Sequence, residues 1–155
     1  MSTETVQPAI AGVTLILGGA RSGKSSFAER LVEGCGLDPV YVATGRAHDA
    51  EMDQRIEAHR ARRGPAWSTV EEPDELEGAV AREAQPDRVL LVDCLTLWIT
   101  NLMMAEADIA ERSRRLSDAL ARANGPVVLV SNEVGLGIVP DNAMARALAH
   151  GSFRR

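Results

Sequence analysis

Residues Gly18–Ser25 combine the types and the spacing that hold a phosphate chain. They read GGARSGKS, which satisfies the pattern G-x-x-x-x-G-K-[ST], and they lie between an apolar run and a helical segment. The glycines let backbone N–H groups turn inward around phosphate oxygens, and the next helix presents its positive N-terminus to the same anion. Lys24 is predicted to reach the β- and γ-phosphates, and Ser25 to supply a hydroxyl to Mg²⁺. The competing interpretation is a glycine-rich turn that merely caps the helix.

An acidic residue at the end of another apolar run supplies the partner that such a loop needs. Asp93 follows RVLLV and occupies the position of a Walker-B carboxylate, which organises the metal ion. The alternative is that Asp93 only caps the next helix. The sequence contains no N-K-x-D tetrad for reading guanine, which disfavours a switch GTPase and favours a small-molecule transferase.

A histidine with unusual neighbours lies in the segment DAEMDQRIEAHRARR. His59 prolongs an apolar stripe that includes Ile56, which favours a packed core residue. It also borders a basic stripe of Arg55 and Arg62 or Arg63 at helical spacing. A neutral imidazole beside guanidinium groups is suited to attack on a nucleotide phosphate, because arginine neutralises the developing charge while the ring nitrogen is phosphorylated. Spacing alone leaves both interpretations open.

The segment 131–146, SNEVGLGIVPDNAMAR, follows the apolar run VVLVS. Ligands bind at the strand ends of open α/β sheets, so this polar, glycine-containing segment suits a substrate-binding loop. A connector that ends in a helix cap explains the same residues equally well.

The elements that must position these residues alternate along the chain. Strands are predicted at 13–17, 39–44, 67–70 and 88–95 and in VVLVS, and helices in KSSFAERLVE, 49–63, TLWITNLMMAEA and DIAERSRRLSDALARAN. Near-continuous Val/Leu strands separated by helices predict an α/β fold, a mainly parallel sheet with helices on both faces. The first helix is expected to bury Phe27, Leu31 and Val32 on one face, and the last to align Ile109, Leu116, Leu120 and Ala123.

Composition limits the partners. With 155 residues, of which 45% are apolar, the chain fits one domain at 13–155 behind a flexible tail at 1–12. A net charge of −5 argues against a nucleic-acid or anionic-membrane binder. No apolar run approaches the roughly 18 residues of a membrane span. Cys35 and Cys94, far apart and without metal-type spacing, indicate a reducing cytoplasm, and both are expected to be buried and inert.

Six segments, in order, resemble one family. They are LGGARSGKS, YVAT, DAEMDQRIEAHRARR, WSTVEEP, LLVDCLTLWITNL and VSNEVGLGIVPDNAMAR, within Leu15 to Arg146. Together they resemble the bifunctional adenosylcobinamide kinase / adenosylcobinamide-phosphate guanylyltransferase family of cobalamin biosynthesis. The phosphate-binding loop (P-loop) at Gly18–Ser25 alone indicates only that the protein binds a nucleotide. The helix segment RIEAHRARR combined with NEVGLGIVPDN makes the match specific.

The resemblance implies the site residues. In the family a histidine on that helix receives GMP from GTP, and the matching residue is His59, which joins Lys24 as a catalytic residue. The implied nucleotide-binding residues are Gly18, Gly19, Ala20, Arg21, Ser22, Gly23, Lys24, Ser25, Ala43, Thr44, Gly45, Arg60, Ala61, Arg62, Arg63, Glu71 and Asp93. Ser25 and Asp93 are the expected metal ligands.

The resemblance also implies two reactions. ATP or GTP first phosphorylates the aminopropanol hydroxyl of adenosylcobinamide. GTP then guanylylates His59 with loss of pyrophosphate, and the GMP passes to the new phosphate to give adenosylcobinamide-GDP. Mg²⁺ is expected to screen charge in both reactions. A homo-oligomer is expected as well, because the family builds sites across subunit contacts.

The end of the sequence departs from the family. A longer helix and a last apolar strand are expected after Arg146, but ALAHGSFRR contains no such strand. The predicted fold is therefore P-loop NTPase-like without the family's last C-terminal strand, which exposes core surface and unpaired backbone groups. Two other functions stay open: a P-loop small-molecule kinase without guanylyltransferase activity, and a catalytically inactive nucleotide-binding protein.

Overall fold

The computed structural model describes residues 12–19, 22–45 and 63–132. Every strand and helix predicted inside these ranges is found, with bounds within a few residues of those predicted. The elements are β1 (Val13–Gly18), α1 (Lys24–Glu33), β2 (Asp38–Ala43), β3 (Ser68–Glu71), α2 (Leu76–Glu83), β4 (Arg88–Asp93), α3 (Leu95–Met104), α4 (Ile109–Ala121) and β5 (Val127–Asn132). The helix α2 is not among the predicted elements.

The strands form one parallel sheet in the order β1-β5-β4-β2-β3. The register places Gly18 opposite Asn132, and Ala43 opposite both Asp93 and Glu71. The carboxyl ends of all five strands therefore meet at one edge of the sheet, where open α/β sheets bind ligands. The predicted parallel α/β fold is confirmed.

Helices cover both faces of the sheet. Because side chains alternate along a strand, Leu90 and Val92 face one core cluster, and Val89 and Leu91 face the other. The first cluster is completed by α2, α3 and α4, the second by α1. Each central strand is thus buried on both sides, which explains its unbroken Val/Leu sequence.

Helix α4 packs as its sequence predicts, and a side chain caps its N-terminus. The carboxylate of its N-cap residue, Asp108, accepts a hydrogen bond of 3.1 Å from the backbone N–H of Glu111. Leu116 and Leu120 are buried, and Ile109 packs against the same cluster. The apolar residues at helical spacing therefore form the face of α4 that packs against this side of the sheet.

The buried face of α1 differs from the prediction. Phe27, expected beside Val32 on that face, is 51% exposed, whereas Ala28 and Val32 are fully buried. Ala28 and Val32 lie about one turn apart, and a neighbouring position points about 100° away. The prediction was therefore wrong for Phe27, because the apolar pattern does not say which side the sheet covers.

Several predictions fall outside the described residues. The tail 1–12, apart from Gly12, and the C-terminal stretch from 133 lie there, as does helix 49–63 except for Arg63. The division into a tail and one domain at 13–155 stays a prediction. In the described ranges, no helix has the length and apolar character needed to cross a bilayer.

A close backbone approach at Gly125 gives a stability prediction. A Cβ at this position would overlap the carbonyl oxygen of Gln85 and lie 3.0 Å from that of Arg88. Backbone atoms cannot rotate away, so we expect Gly125→Ala to lower the free energy of unfolding by about 2 kcal/mol. Urea unfolding followed by circular dichroism measures this change.

Gly78→Ala is the matched control. Gly78 lies inside α2, and a Cβ there would only touch Glu75 at 4.0 Å. Alanine favours a helix interior over glycine, so this variant should be neutral or more stable by up to about 1 kcal/mol. Equal unfolding midpoints for both variants would contradict the close approach at Gly125.

Candidate functional site

In the predicted P-loop, Ser22 and Lys24 hydrogen-bond back to Gly19, the residue that follows β1. Gly23, the N-cap residue of α1, has φ 80°, a left-handed conformation that favours glycine. The amine of Lys24 donates a hydrogen bond of 2.9 Å to the Gly19 carbonyl. The hydroxyl of Ser22 donates to the same oxygen over 3.0 Å. The loop therefore brings an amine and a hydroxyl to the N-terminus of a helix, which attracts anions.

Gly18 leaves the room that these side chains need. A Cβ on Gly18 would lie 2.5 Å from the Ser22 hydroxyl oxygen and 3.4 Å from Cδ of Lys24. A larger residue would therefore displace the Ser22 hydroxyl, whereas its contact with Lys24 would be an ordinary one. The absence of a side chain at Gly18 is thus what lets the Ser22 hydroxyl approach the end of β1 so closely.

The two predicted metal ligands meet. The hydroxyl of Ser25, in the first turn of α1, donates to Oδ2 of Asp93 over 3.3 Å. Asp93 is the last residue of β4. The contact joins residues 68 positions apart in the chain, so the alternative that Asp93 only caps α3 does not account for it. No side-chain cap hydrogen bond is found at the N-terminus of α3.

The donor set of this pair fits Mg²⁺. Hydroxyl and carboxylate oxygens are hard donors, and Mg²⁺ usually takes only one or two protein ligands and completes its shell with phosphates and waters. No group of three or more His, Cys, Asp or Glu side chains in the described part of the chain is placed to hold a metal ion. Ser25 and Asp93 therefore suit an ion that arrives with a nucleotide rather than one held by a protein cage.

Tyr41 is a site residue that the sequence did not predict. Its hydroxyl donates a hydrogen bond of 2.7 Å to Oδ2 of Asp93. Burial, together with the charge of Asp93, raises the pKa of Tyr41 far above its ordinary value. The phenol therefore stays protonated and remains a hydrogen-bond donor to the carboxylate.

Arg63, predicted to contact the nucleotide, is almost completely buried. Its guanidinium carbon lies 3.4 Å from the centre of the Tyr41 ring and 5.8 Å from that of Trp67. Its Nη1 atom is 4.0 Å from Oε2 of Glu29, and its Nε and Nη1 atoms make no hydrogen bond. Burial lowers the pKa of Arg63. The arginine is held by aromatic rings at the site rather than by a close ion pair.

The turn after β2 is fixed by buried polar contacts. The hydroxyl of Thr44 donates to the Cys94 carbonyl over 2.7 Å and accepts from the Cys94 N–H over 2.8 Å. The side-chain amide of Asn101 donates to the Thr44 carbonyl over 2.8 Å. Thr44 thus ties the end of β2 to the end of β4, and its hydroxyl is committed to the backbone.

The structure brings most of the described site residues to one edge. The P-loop begins at the end of β1, Asp93 ends β4, residues 43–45 lie at the end of β2, and Glu71 ends β3 opposite Ala43. All of them lie at the carboxyl edge of the sheet, with β5 between β1 and β4. Ala20, Arg21, His59, Arg60, Ala61 and Arg62 lie outside the described residues. In segment 131–146, Ser131 and Asn132 complete β5, and the rest lies outside as well. The roles of all these residues stay predictions.

The two cysteines differ in accessibility. Cys94 is buried next to Asp93, but Cys35 is only half-buried, so the prediction that both are buried was wrong for Cys35. Burial, with the charge of Asp93 adding to it, raises the pKa of Cys94 to about 11. The reactive thiolate of Cys94 is therefore scarce at neutral pH as well as shielded.

Iodoacetamide is therefore expected to alkylate Cys35 in the native protein, and Cys94 only after unfolding in guanidinium. Peptide mass spectrometry at successive times measures both rates in one sample. Alkylation of Cys94 in the native protein as fast as that of Cys35 would contradict the packing around Asp93.

Comparisons with known proteins agree with this geometry. The family model for cobinamide kinase / cobinamide phosphate guanyltransferase matches residues 14–152. The chain is 50% identical over 134 residues to the bifunctional adenosylcobalamin biosynthesis protein CobP of Pseudomonas aeruginosa, covering 85% of this chain and 78% of that protein. It is 39% identical over 147 residues to the bifunctional adenosylcobalamin biosynthesis protein CobU of Escherichia coli, covering 85% and 81%.

A solved structure shares the fold. The flagellar accessory protein FlaH from Methanocaldococcus jannaschii superposes with a TM-score of 0.56 at 14% identity, covering 93% of this chain and 70% of that one. At this identity the likeness bears on the fold alone.

Proposed function

The chain belongs to the cobinamide kinase / cobinamide phosphate guanyltransferase family, and we propose that it performs both reactions in the synthesis of adenosylcobalamin. The family predicted from the sequence is confirmed, and with it an enzyme that combines kinase and guanylyltransferase activity. In the proposed sequence, adenosylcobinamide is phosphorylated by ATP or GTP. GMP is then transferred from GTP through His59 to give adenosylcobinamide-GDP.

The contact between Ser25 and Asp93, 3.3 Å long, is the observation that carries this proposal. It joins α1, the helix that follows the P-loop, to an acid at the end of β4, which lies two strands from β1 in the sheet. Lys24, the residue before Ser25, brings its amine to the loop carbonyl of Gly19. This is the arrangement that binds a nucleoside triphosphate with its metal ion. Ser25 and Asp93 would hold Mg²⁺, which would supply positive charge to screen the phosphates.

In the kinase reaction, the aminopropanol hydroxyl oxygen attacks the γ-phosphorus. A new O–P bond forms, the bond to the β,γ-bridging oxygen breaks, and the nucleoside diphosphate leaves as the hydroxyl loses its proton. Lys24 and the N-terminus of α1 supply positive charge where the phosphate oxygens gather negative charge. Catalysis of this kind depends mainly on positioning and electrostatics.

In the transferase reaction, a neutral imidazole nitrogen of His59 attacks the α-phosphorus of GTP, and pyrophosphate leaves. A phosphate oxygen of adenosylcobinamide phosphate then attacks the same phosphorus, the N–P bond breaks, and His59 is released. Two displacements replace one difficult attack of phosphate on phosphate. The arginines predicted around His59 would offset the charge that develops.

Conversion of adenosylcobinamide tests this proposal. The folded protein is incubated with adenosylcobinamide, Mg²⁺ and GTP, and products are separated by reversed-phase chromatography and identified by mass spectrometry. We expect adenosylcobinamide phosphate first, then adenosylcobinamide-GDP with an equal amount of pyrophosphate. Accumulation of adenosylcobinamide phosphate alone would indicate a kinase without transferase activity. Binding of GTP without formation of either product would indicate an inactive nucleotide-binding protein.

We also propose a cytoplasmic homo-oligomer that acts on small molecules and not on nucleic acid. The two free thiols support the cytoplasm, and the net charge of −5 supports small molecules rather than nucleic acid. The homo-oligomer rests on the family alone. Light scattering coupled to size-exclusion chromatography measures the assembly.

A further inference from the structure

Tyr41 lies inside β2, yet its hydroxyl reaches the strand-end site. The parallel register pairs Tyr41 with Leu91 and Ala43 with Asp93. Residues two apart on a strand share a face, so Tyr41 and Asp93 both lie on the side of the sheet that α1 covers. The phenol reaches along the strand direction by these two residues and donates a hydrogen bond of 2.7 Å to Oδ2 of Asp93.

The accepting oxygen is the one that also receives the Ser25 hydroxyl, over 3.3 Å. A carboxylate has about four lone-pair sites on its two oxygens, so these bonds leave room for a cation. A hydrogen bond to a charged acceptor is short and directional. The contact with Tyr41 therefore fixes the rotation of the Asp93 carboxylate relative to Ser25.

The Tyr41 ring is itself held in place. The Arg63 guanidinium carbon lies 3.4 Å from the ring centre, and the Trp67 ring meets it edge-on with centroids 6.3 Å apart. The Arg63 side chain is only 2% exposed. Packing on the face and at the edge of the ring prevents the phenol from swinging away from Asp93.

We propose that Tyr41 is a positioning residue that holds Asp93 in the orientation in which Asp93 and Ser25 take a magnesium-bound nucleotide, and that Arg63 acts by fixing the Tyr41 ring. The inference rests on the proposed function, because Asp93 is a metal ligand only there. Carboxylates that bind metals are commonly oriented by such outer hydrogen bonds, and loss of the outer partner weakens metal binding.

Tyr41→Phe tests this role, because it removes the hydroxyl and keeps the ring that Arg63 and Trp67 contact. In the His59→Ala background, where GTP cannot guanylylate the chain, isothermal titration calorimetry measures GTP binding in EDTA and over a series of Mg²⁺ concentrations. We expect the Mg²⁺ concentration for half-maximal tight binding to rise about tenfold. GTP affinity in EDTA and the melting temperature should change little.

Trp67→Phe is the matched control. It keeps an aromatic ring beside Tyr41 but removes the indole donor, which bonds Oε2 of Glu33 over 2.8 Å. The Mg²⁺ requirement should therefore stay unchanged. Arg63→Met should raise the Mg²⁺ requirement, as Tyr41→Phe does. If Arg63 acts through the Tyr41 ring, the double variant should need no more Mg²⁺ than Tyr41→Phe alone.

Asp93→Asn separates this inference from the proposed function. If Asp93→Asn leaves the Mg²⁺ requirement unchanged, the metal assignment fails and the inference fails with it. If Asp93→Asn changes the requirement but Tyr41→Phe does not, only the role of Tyr41 is overturned. A loss of GTP affinity by Tyr41→Phe that is equally large in EDTA would also overturn it, because a positioning role acts through the metal.

Discussion

Replacement of Lys24 by alanine is expected to lower kcat/KM for both reactions by at least about a hundredfold, since loss of one charge-stabilising donor commonly costs that much. Lys24 begins α1 directly after the left-handed Gly23, and its amine lies 2.9 Å from the Gly19 carbonyl inside the loop. The same amine would serve the phosphates of the nucleotide in the kinase and the transferase steps. Steady-state assays of each step, with product separation by chromatography, measure the two losses.

Arg30→Ala is the matched control for Lys24→Ala. Arg30 lies in the last turn of the same helix and is exposed, so its loss removes one positive charge without touching the loop. Its kinetic constants should match those of the parent. Equal losses in the two variants would indicate a general charge effect and contradict the role of Lys24.

Lys24 is the only lysine in the sequence, which allows a second, independent measurement. Amine acetylation can modify only this side chain and the N-terminal amine. Bound GTP with Mg²⁺ is expected to slow acetylation of Lys24, as read by peptide mass spectrometry, and to leave the N-terminus unaffected. Equal rates with and without GTP would contradict contact between Lys24 and the phosphates.

Replacement of His59 by alanine is expected to separate the two activities. Formation of adenosylcobinamide-GDP should fall by at least about a thousandfold, because removal of a covalent nucleophile is among the most costly changes to an enzyme. Phosphorylation of adenosylcobinamide should continue, because its steps use the P-loop and not the imidazole. Chromatography of the products should therefore show adenosylcobinamide phosphate accumulating.

His48→Ala and His150→Ala are the controls, since these are the other two histidines in the sequence. Both variants should make adenosylcobinamide-GDP at the parental rate. If folded His59→Ala forms adenosylcobinamide-GDP at the parental rate, His59 is not the nucleophile, and the alternative that it is a packed core residue is favoured.

Much of the sheet could be predicted from the sequence, because its central strands are buried on both faces. RVLLVD and VVLVSN are apolar almost throughout and become the neighbours β4 and β5. The P-loop motif likewise fixes its own local structure, since its spacing demands a strand before it and a helix after it. Asp93 was also predictable, because it is the polar residue that ends a buried, apolar strand.

Other features depend on contacts that one sequence does not specify. Tyr41 lies within PVYVA and has the pattern of an ordinary core residue. Its bond to Asp93 follows from the register of β2 against β4, which emerges only on folding. The short helix α2 contains a glycine, which weakens the helical pattern. Phe27 shows that the spacing of apolar residues identifies an apolar face of a helix but does not tell which side of the helix the sheet covers.

Covalent guanylylation of the chain is the central claim, and one labelling experiment tests it most directly. The purified protein is incubated with Mg²⁺ and GTP labelled with ³²P at the α-phosphate, beside His59→Ala. We predict a label on the parent that acid removes and base does not, as expected for a phosphoramidate, and none on the variant. No label on the folded parent, or equal label on both proteins, would contradict transfer through His59.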